Sequence, residues 1–189
     1  MLVQIPQWTA EGVLPPIDAA NPTSTTRAPY PVSLYDVVAR FATSPARCAI
    51  LDGYLRHRAA LHALGYRVGF QWLDGSFMED VETREARTPN DIDVVTFLDA
   101  PGAGVPGPSD DDALDHAASK RRFKVDSYLI ELDQTPPREL AFWSAYWYSV
   151  WAHRRNQVWK GFLQVDLAPG EDAAARHWLT QNPGSGMQP

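Results

Sequence analysis

The sequence predicts a mixed α/β (α+β) domain in which about four strands form one sheet flanked by helices. Four segments carry apolar residues at helical spacing, and four shorter runs rich in Val, Ile, Phe or Leu are typical of strands. Helices and strands are interspersed along the chain. A length of 189 residues with 44% hydrophobic content suits one compact domain with a sizeable core.

The four predicted helices are recognised by an apolar stripe or by their boundary residues. They cover residues 33–43, 44–65, 136–153 and 171–180. In the second helix, Ser44 can cap the N-terminus, Pro45 suits the first helical position, and Gly65 supplies the end. This second segment is therefore the most clearly bounded of the four.

The third predicted helix is apolar around much of its circumference. Its apolar residues are Leu140, Phe142, Trp143, Tyr146, Trp147, Val150 and Trp151. Aromatic residues at helical spacing belong to the core more often than they stack on a nucleobase, so we expect the sheet or a partner to cover them. Stacking on a nucleobase is the alternative.

The four predicted strands cover residues 67–75, 91–98, 124–132 and 160–167. In the first, Val68, Phe70 and Trp72 alternate with polar or small residues, a period of two that places them on one face. Together these segments outline the sheet.

Prolines separate an N-terminal arm from the domain. Residues 1–32 contain six prolines, which remove backbone donors and interrupt helical or strand register. The arm also holds apolar residues, so we predict that it wraps against a single domain formed by residues 33–181. The tail 182–189 is predicted to be disordered, and the loop 100–109 to be flexible because it contains three prolines and three glycines.

Composition excludes several classes of function. No run reaches the roughly 18 apolar residues of a membrane span, and Met1–Pro6 lacks a basic segment leading into an apolar stretch, so we expect a cytoplasmic protein without a membrane partner. Cys48 is the lone cysteine, which excludes an internal disulfide. The net charge of −6 disfavours broad nucleic-acid binding. The basic cluster at 120–124 is expected to be a solvated patch beside a surface loop, with local binding of a polyanion as the alternative.

Two acidic residues in the second predicted strand suggest a metal site. Asp91 and Asp93 are two residues apart, so they project from one face of the strand while Ile92 points to the other. Neighbouring carboxylates repel and raise each other's pKa unless a cation or a strong set of donors neutralises them. Such oxygen ligands suit Mg²⁺ or Mn²⁺, which in turn hold the phosphates of a nucleotide.

Two further features complete this candidate site. Gly75 and Ser76 directly follow the first strand, where a residue without a side chain lets backbone amides and a hydroxyl approach a phosphate. Asp126 lies near the start of the third strand, with the apolar Val125 on the other face. It fits the role of a third carboxylate that binds a second metal or accepts the proton of the attacking group.

This order of motifs resembles the nucleotidyltransferase superfamily typified by DNA polymerase beta. The motifs are Gly75-Ser76, Asp91-x-Asp93 and Asp126. The resemblance implies a nucleotidyltransferase-like mixed sheet, a phosphate cradle at the Gly-Ser pair and metal binding by the three aspartates. The whole chain is also similar to an uncharacterised bacterial nucleotidyltransferase-like family. That similarity lies in residues 5–6, 12–16, 73–77, 91–93 and 160–163.

The chain departs from the superfamily pattern in two ways. Fourteen residues, 77–90, separate Ser76 from Asp91, a longer gap than in minimal members, which implies an inserted loop. Its acidic residues could cover the site or deter polyanionic substrates. They are Glu79, Asp80, Glu82 and Glu85. About 60 residues after the third strand are too few for a separate substrate domain, so recognition must come from the helices, the arm or another chain.

These observations favour a metal-dependent nucleotidyltransferase that moves a nucleotidyl group from an NTP to a hydroxyl of a protein, an RNA or a small molecule. The rival class is a catalytically inactive binding module, such as an antitoxin-like partner protein, and a homodimer is also conceivable. Hydrolysis of a phosphate ester at the same metals is a third candidate.

Other polar residues receive no role from the sequence. The histidines His57, His62 and His116 are expected at the surface or at helix edges, and their spacing forms no convincing zinc set. Lys160, which opens the fourth strand, is expected to be solvated, and neutralisation of a triphosphate is the alternative.

Overall fold

The computed structural model describes residues 2–101 and 111–183, and in these residues five strands and six α-helices are found. The strands are β1 (Tyr30–Pro31), β2 (Gly69–Asp74), β3 (Ile92–Leu98), β4 (Val125–Glu131) and β5 (Leu163–Asp166). The helices are α1 (Leu34–Phe41), α2 (Pro45–Ala63), α3 (Val81–Glu85), α4 (His116–Phe123), α5 (Pro137–Trp151) and α6 (Asp172–Gln181). Short 3₁₀ segments cover Ser76–Met78 and Pro169–Glu171.

The strands form one mixed sheet in the order β1-β5-β2-β3-β4. Strand β2 is antiparallel to β3 and β5, whereas the pairs β3–β4 and β1–β5 are parallel. The predicted mixed α/β class is therefore confirmed. The fifth strand is β1, a two-residue strand of the arm. Its first residue, Tyr30, and the residue that follows it, Val32, donate backbone hydrogen bonds to the carbonyls of Phe162 and Gln164. A strand this short shows no periodicity in the sequence.

The four predicted helices correspond to α1, α2, α5 and α6. Ser33 and Ser44 cap α1 and α2 by accepting hydrogen bonds from the backbone N–H groups of Asp36 and Arg47. Helix α4 was not predicted, because its sequence HAASKRRF lacks an apolar stripe. Its N-cap is Asp115, and its buried residues are Ala118, Ser119 and Phe123, on either side of the basic residues 120–122.

The two faces of the sheet have different surroundings. On one face, helix α2 packs over side chains such as Gln71, which accepts hydrogen bonds from the Tyr54 hydroxyl and Arg58, and helices α4 and α6 contact α2. On the other face, α5 packs through Trp147 and Trp151, whose rings contact Tyr128 and Phe162. The alternation of side chains along β2, β3 and β4 places the aspartates on this second face.

The prediction that His57 and His62 lie at the surface was wrong. Both residues lie on α2 and are buried. The Nε2 of His57 is 3.1 Å from the Ala113 carbonyl, and the Nε2 of His62 is 2.7 Å from the Leu167 carbonyl. Burial lowers the pKa of His57 to about 4, so it is neutral at pH 7.

The arm packs along the domain. Val13 and Leu14 are buried, the Leu14 carbonyl accepts a hydrogen bond from the Gly161 N–H, and the Trp8 indole donates to the Met78 carbonyl. The proposed division at residue 32 stays a prediction. Most of the predicted flexible loop 100–109 and of the predicted disordered tail 182–189 lies outside the described residues. Within those residues, no helix is both long and apolar enough to cross a bilayer.

Candidate functional site

Three carboxylates lie in one row across neighbouring strands. Asp93 on β3 is in register with Asp74 on β2 and with Asp126 on β4. Asp91 immediately precedes β3. The predicted carboxylates therefore lie at one end of the sheet, and Asp74, which the sequence reasoning did not select, extends their row. Its position directly before the Gly75-Ser76 motif was the signal that could have identified it.

Lys120 supplies a cation to this row. Its Nζ lies 3.0 Å from Asp91 Oδ2 and 2.5 Å from Asp126 Oδ2. Hydrogen bonds to these two carboxylates raise the pKa of Lys120, so its ammonium group stays charged. The basic cluster was predicted to be only a solvated patch, and for Lys120 that prediction was wrong. Helix α4 directs this side chain back over β4.

Asp93 is the least neutralised carboxylate of the row. In the described parts of the chain its carboxylate has no hydrogen bond and no ion pair. Burial, followed by the negative charges of Asp126 and Asp91, raises the pKa of Asp93 to about 6, although Lys160 and Lys120 oppose the shift. The row therefore holds more negative charge than its lysines offset.

Gly75 was predicted to let a phosphate approach, and the structure adds a second reason for a glycine at this position. Its φ of 86° and ψ of −177° lie in a region that is essentially restricted to glycine. A Cβ at this position would overlap Asp93 Oδ2. The glycine therefore makes room for the Asp93 carboxylate. Ser76 then begins the 3₁₀ segment, whose leading N–H groups have no partner within the segment.

A buried group of charges lies beside the row. Lys160 Nζ contacts Asp74 Oδ1 at 2.9 Å and Glu79 Oε1 at 3.0 Å, and Arg154 Nε donates to Glu79 Oε2 at 2.7 Å. Burial disfavours the charged lysine, but the two carboxylates outweigh it and raise the pKa of Lys160. The prediction that Lys160 is solvated was wrong, because Lys160 precedes β5 and its side chain is buried against the carboxylates of Asp74 and Glu79.

The inserted loop 77–90 is attached to helix α2. Arg47, which is fully buried, donates to the carbonyls of Phe77 and Glu79 at 2.6 and 2.5 Å and forms an ion pair with Glu82 at 2.7 Å. Two of the four acidic side chains of the loop, those of Glu79 and Glu82, therefore point to cations. They are not available to repel a polyanion over the site.

Asp126 and His116 are close to each other. Asp126 is 9% exposed, and its Oδ1 has no hydrogen bond within residues 2–101 and 111–183. The half-exposed His116 places Nδ1 at 3.3 Å from this oxygen and at 3.1 Å from the Ser127 carbonyl. An incompletely satisfied buried carboxylate oxygen is the kind of atom that a cation would complete.

The chemistry of these residues suits Mg²⁺ or Mn²⁺, but their arrangement includes a competitor. Among the described residues, no three side chains of the types His, Cys, Asp or Glu surround one point at metal-binding distances. Lys120 Nζ lies between Asp91 and Asp126, where a cation shared by these two carboxylates would lie. In this structure Lys120 therefore occupies the place between two of the three carboxylates that suit such an ion.

A comparison with protein families gives one match. The sequence model described as "Family of unknown function (DUF6932)" matches residues 6–166, most of the chain. The chain belongs to this family. Comparisons with curated proteins and with solved structures gave no match. The description of the DUF6932 family states no activity, so the function is inferred from the residues described above.

Proposed function

We propose that this protein is a metal-dependent nucleotidyltransferase that transfers a nucleotidyl group from an NTP to a hydroxyl of a protein, an RNA or a small molecule. The supporting observation is the row of carboxylates on adjacent strands, next to the turn formed by Gly75 and Ser76. Excess negative charge in a partly accessible site is costly to keep unless it serves binding or catalysis.

The proposed roles follow from position. Asp91, Asp93 and Asp126 would hold Mg²⁺ or Mn²⁺, which when bound neutralises the phosphates and the departing pyrophosphate. The backbone after Gly75 would donate to phosphate oxygens together with the Ser76 hydroxyl. The acceptor oxygen forms a bond to the α-phosphorus, the bond to pyrophosphate breaks, and the hydroxyl proton passes to Asp126.

Lys120 is compatible with this proposal because its side chain is 47% exposed and reaches the row from outside. It can leave the two carboxylates without disturbing the core. A bound triphosphate would offer the released ammonium new anionic partners in the same place. Lys120 would then exchange carboxylates for phosphates when substrate and metal enter together.

The test is transfer of label from α-labelled NTPs in the presence of Mg²⁺ or Mn²⁺, with protein, RNA and small hydroxyl compounds as acceptors. We expect transfer by the wild-type chain and a loss of at least 100-fold in Asp93→Asn. Asp52→Asn, which changes an exposed carboxylate on α2, is the matched control and should retain activity. Equal transfer by wild type and Asp93→Asn, or no metal-dependent nucleotide binding by wild type, would refute the proposal.

A second candidate, a binding module without turnover, is favoured by the ion pairs of Lys120. In this view the ammonium permanently replaces the metal, and the protein acts through a partner, as an antitoxin-like protein does. Mn²⁺ affinity separates the two candidates. Under the enzyme proposal Mn²⁺ binds to wild type and binds more tightly to Lys120→Met, whereas a binding module would show no Mn²⁺ affinity in either protein.

A further inference from the structure

A recess at the outer side of strand β4 is not used by the roles assigned above. It encloses about 400 Å³ and is lined by residues of β4 and α5, among them Tyr128, Leu129, Trp143 and Trp147. We refer to it as the β4 recess. Its volume lies within the range of roughly 300–1,000 Å³ that is usual for small-molecule sites.

The walls of the β4 recess are aromatic and partly open to solvent. The rings of Tyr128 and Trp147 are 4.5 Å apart between centroids, which fixes both of them. Tyr128 and Trp143 each remain 37% exposed, although α5 was predicted to bury its aromatic residues. The sheet therefore buries Trp147 and Trp151 of α5, as predicted, but does not cover Trp143. Exposed aromatic faces beside a cavity are suited to stacking on a planar ring.

The floor of the recess is the free edge of the sheet, because β4 is its last strand. The Ile92 N–H donates to the Lys124 carbonyl, and the Leu132 N–H donates to the Leu98 carbonyl. In a parallel pair the backbone groups of alternate residues point to the same neighbour. The even-numbered residues of β4 therefore face β3, and the odd-numbered residues direct their N–H and C=O groups outward.

Two of the outward carbonyls of this edge are already engaged within the chain. The Ser127 carbonyl accepts a hydrogen bond from His116 Nδ1, and the Glu131 carbonyl accepts one from the Thr135 N–H. Between them, the N–H and C=O of Leu129 have no partner in the part of the chain that the structure describes. One residue thus presents a donor and an acceptor side by side. An added strand from another chain would also need the carbonyls of Ser127 and Glu131, which are already engaged, so the edge is poorly suited to strand pairing.

We propose that the β4 recess binds the nucleobase of the nucleotide substrate, which stacks on Trp143 and Tyr128 and pairs its edge with the Leu129 N–H and C=O. A nucleobase is planar and carries donors and acceptors next to each other. Tyr128 follows Asp126 by two residues on the same face, about 7 Å along the strand, a span that a ribose can bridge. This inference rests on the proposed function and names the part of the substrate that confers recognition.

The experiment measures binding of the four ribonucleosides, which lack phosphates and need no metal, to the full chain by ligand-observed NMR. We expect at least one nucleoside to bind, and Trp143→Ala to weaken its binding about tenfold. Phe142→Ala is the matched control, because Phe142 is an exposed aromatic residue of the same helix that does not line the recess, and its removal should leave the affinity unchanged.

The outcomes separate this inference from the proposed function. Nucleoside binding that depends on Trp143, in a protein that fails to transfer nucleotides, would support the recess and refute only the transferase. Two results would refute nucleobase binding in the β4 recess and leave the transferase proposal intact. One is metal-dependent transfer without nucleoside binding, and the other is an equal effect of Trp143→Ala and Phe142→Ala on nucleoside affinity. Formation of a dimer that buries Trp143, without nucleoside binding, would assign the β4 edge to a second copy of the chain. It would also refute nucleobase binding in the β4 recess.

Discussion

Asp93 and Gly75 depend on each other at the scale of single residues. The backbone conformation at position 75 excludes side chains, and the space left free is taken by the Asp93 carboxylate. Burial of this carboxylate raises its pKa, and repulsion by the negative charges of Asp126 and Asp91 raises it further, to about 6. A charge placed in this way lowers the stability of the fold, as is common at functional sites.

Replacement of Asp93 by Asn should therefore stabilise the protein at pH 8. The unfolded carboxyl has a pKa near 3.8 and the folded one about 6, so the folded state disfavours ionisation and the wild type gains stability as the pH falls through this window. We expect a gain of about 1–3 kcal/mol in the free energy of unfolding of Asp93→Asn at pH 8. The gain should largely vanish at pH 4, as measured by urea denaturation.

The exposed Asp52→Asn variant is the control and should change stability by less than about 1 kcal/mol at both pH values. A destabilised Asp93→Asn at pH 8 would show that the Asp93 carboxylate stabilises the fold, and the functional interpretation of its charge would lose its support.

At the scale of elements, the loop between β2 and β3 is held by helix α2 through Arg47. The guanidinium is buried and makes hydrogen bonds with two backbone carbonyls and with Glu82. These bonds shape the 3₁₀ segment that follows Gly75, because one of the accepting carbonyls belongs to Phe77. Through Arg47, helix α2 therefore positions the turn that follows Gly75 at the candidate site.

Substitution of Arg47 by Met should release this loop. It removes every one of these hydrogen bonds and leaves a carboxylate and two carbonyls without their partner, at a cost of about 3–5 kcal/mol. Backbone amides in residues 77–86 should then exchange with solvent faster in hydrogen-exchange mass spectrometry. Arg56→Met, on the exposed side of the same helix, is the control. Unchanged protection of 77–86 in Arg47→Met would contradict this account.

At the scale of the whole molecule, the N-terminal arm contributes to the hydrophobic core and to the edge of the sheet. Its strand β1 pairs with β5, and Leu14 is buried against the domain. Gly161 allows the close approach, since a Cβ there would overlap the Pro15 carbonyl. The arm and the segment that carries Lys160 are thus joined next to the buried charges of the candidate site.

Truncation of Leu14 to Ala should destabilise the whole fold by about 2–5 kcal/mol, because it opens a cavity in a fully packed region. Leu2→Ala, which shortens an exposed leucine of the same arm, should cost less than about 0.5 kcal/mol. Urea denaturation monitored by tryptophan fluorescence would measure both changes in the free energy of unfolding. If the two variants were equally stable, the arm would not be part of the cooperative unit.

The local sequence determined most of the secondary structure. Apolar periodicity and the capping residues Ser33 and Ser44 act over a few neighbouring residues, so four helices and four strands could be predicted. The alternation of side chains in a strand also predicted that Asp91 and Asp93 share a face. Helices α3 and α4 and strand β1 escaped prediction because their stability comes from distant partners instead of a local pattern.

The environment of the candidate site depended on which elements become neighbours. Lys120 reaches Asp91 and Asp126 because α4 packs on β4, and Lys160 reaches Asp74 because β5 lies beside β2. The exposure of Trp143 and the open backbone of Leu129 result from the position of α5 and from β4 being the edge strand. Charge pairing and exposure are set by contacts between residues far apart in the chain, and no local pattern in the sequence encodes them.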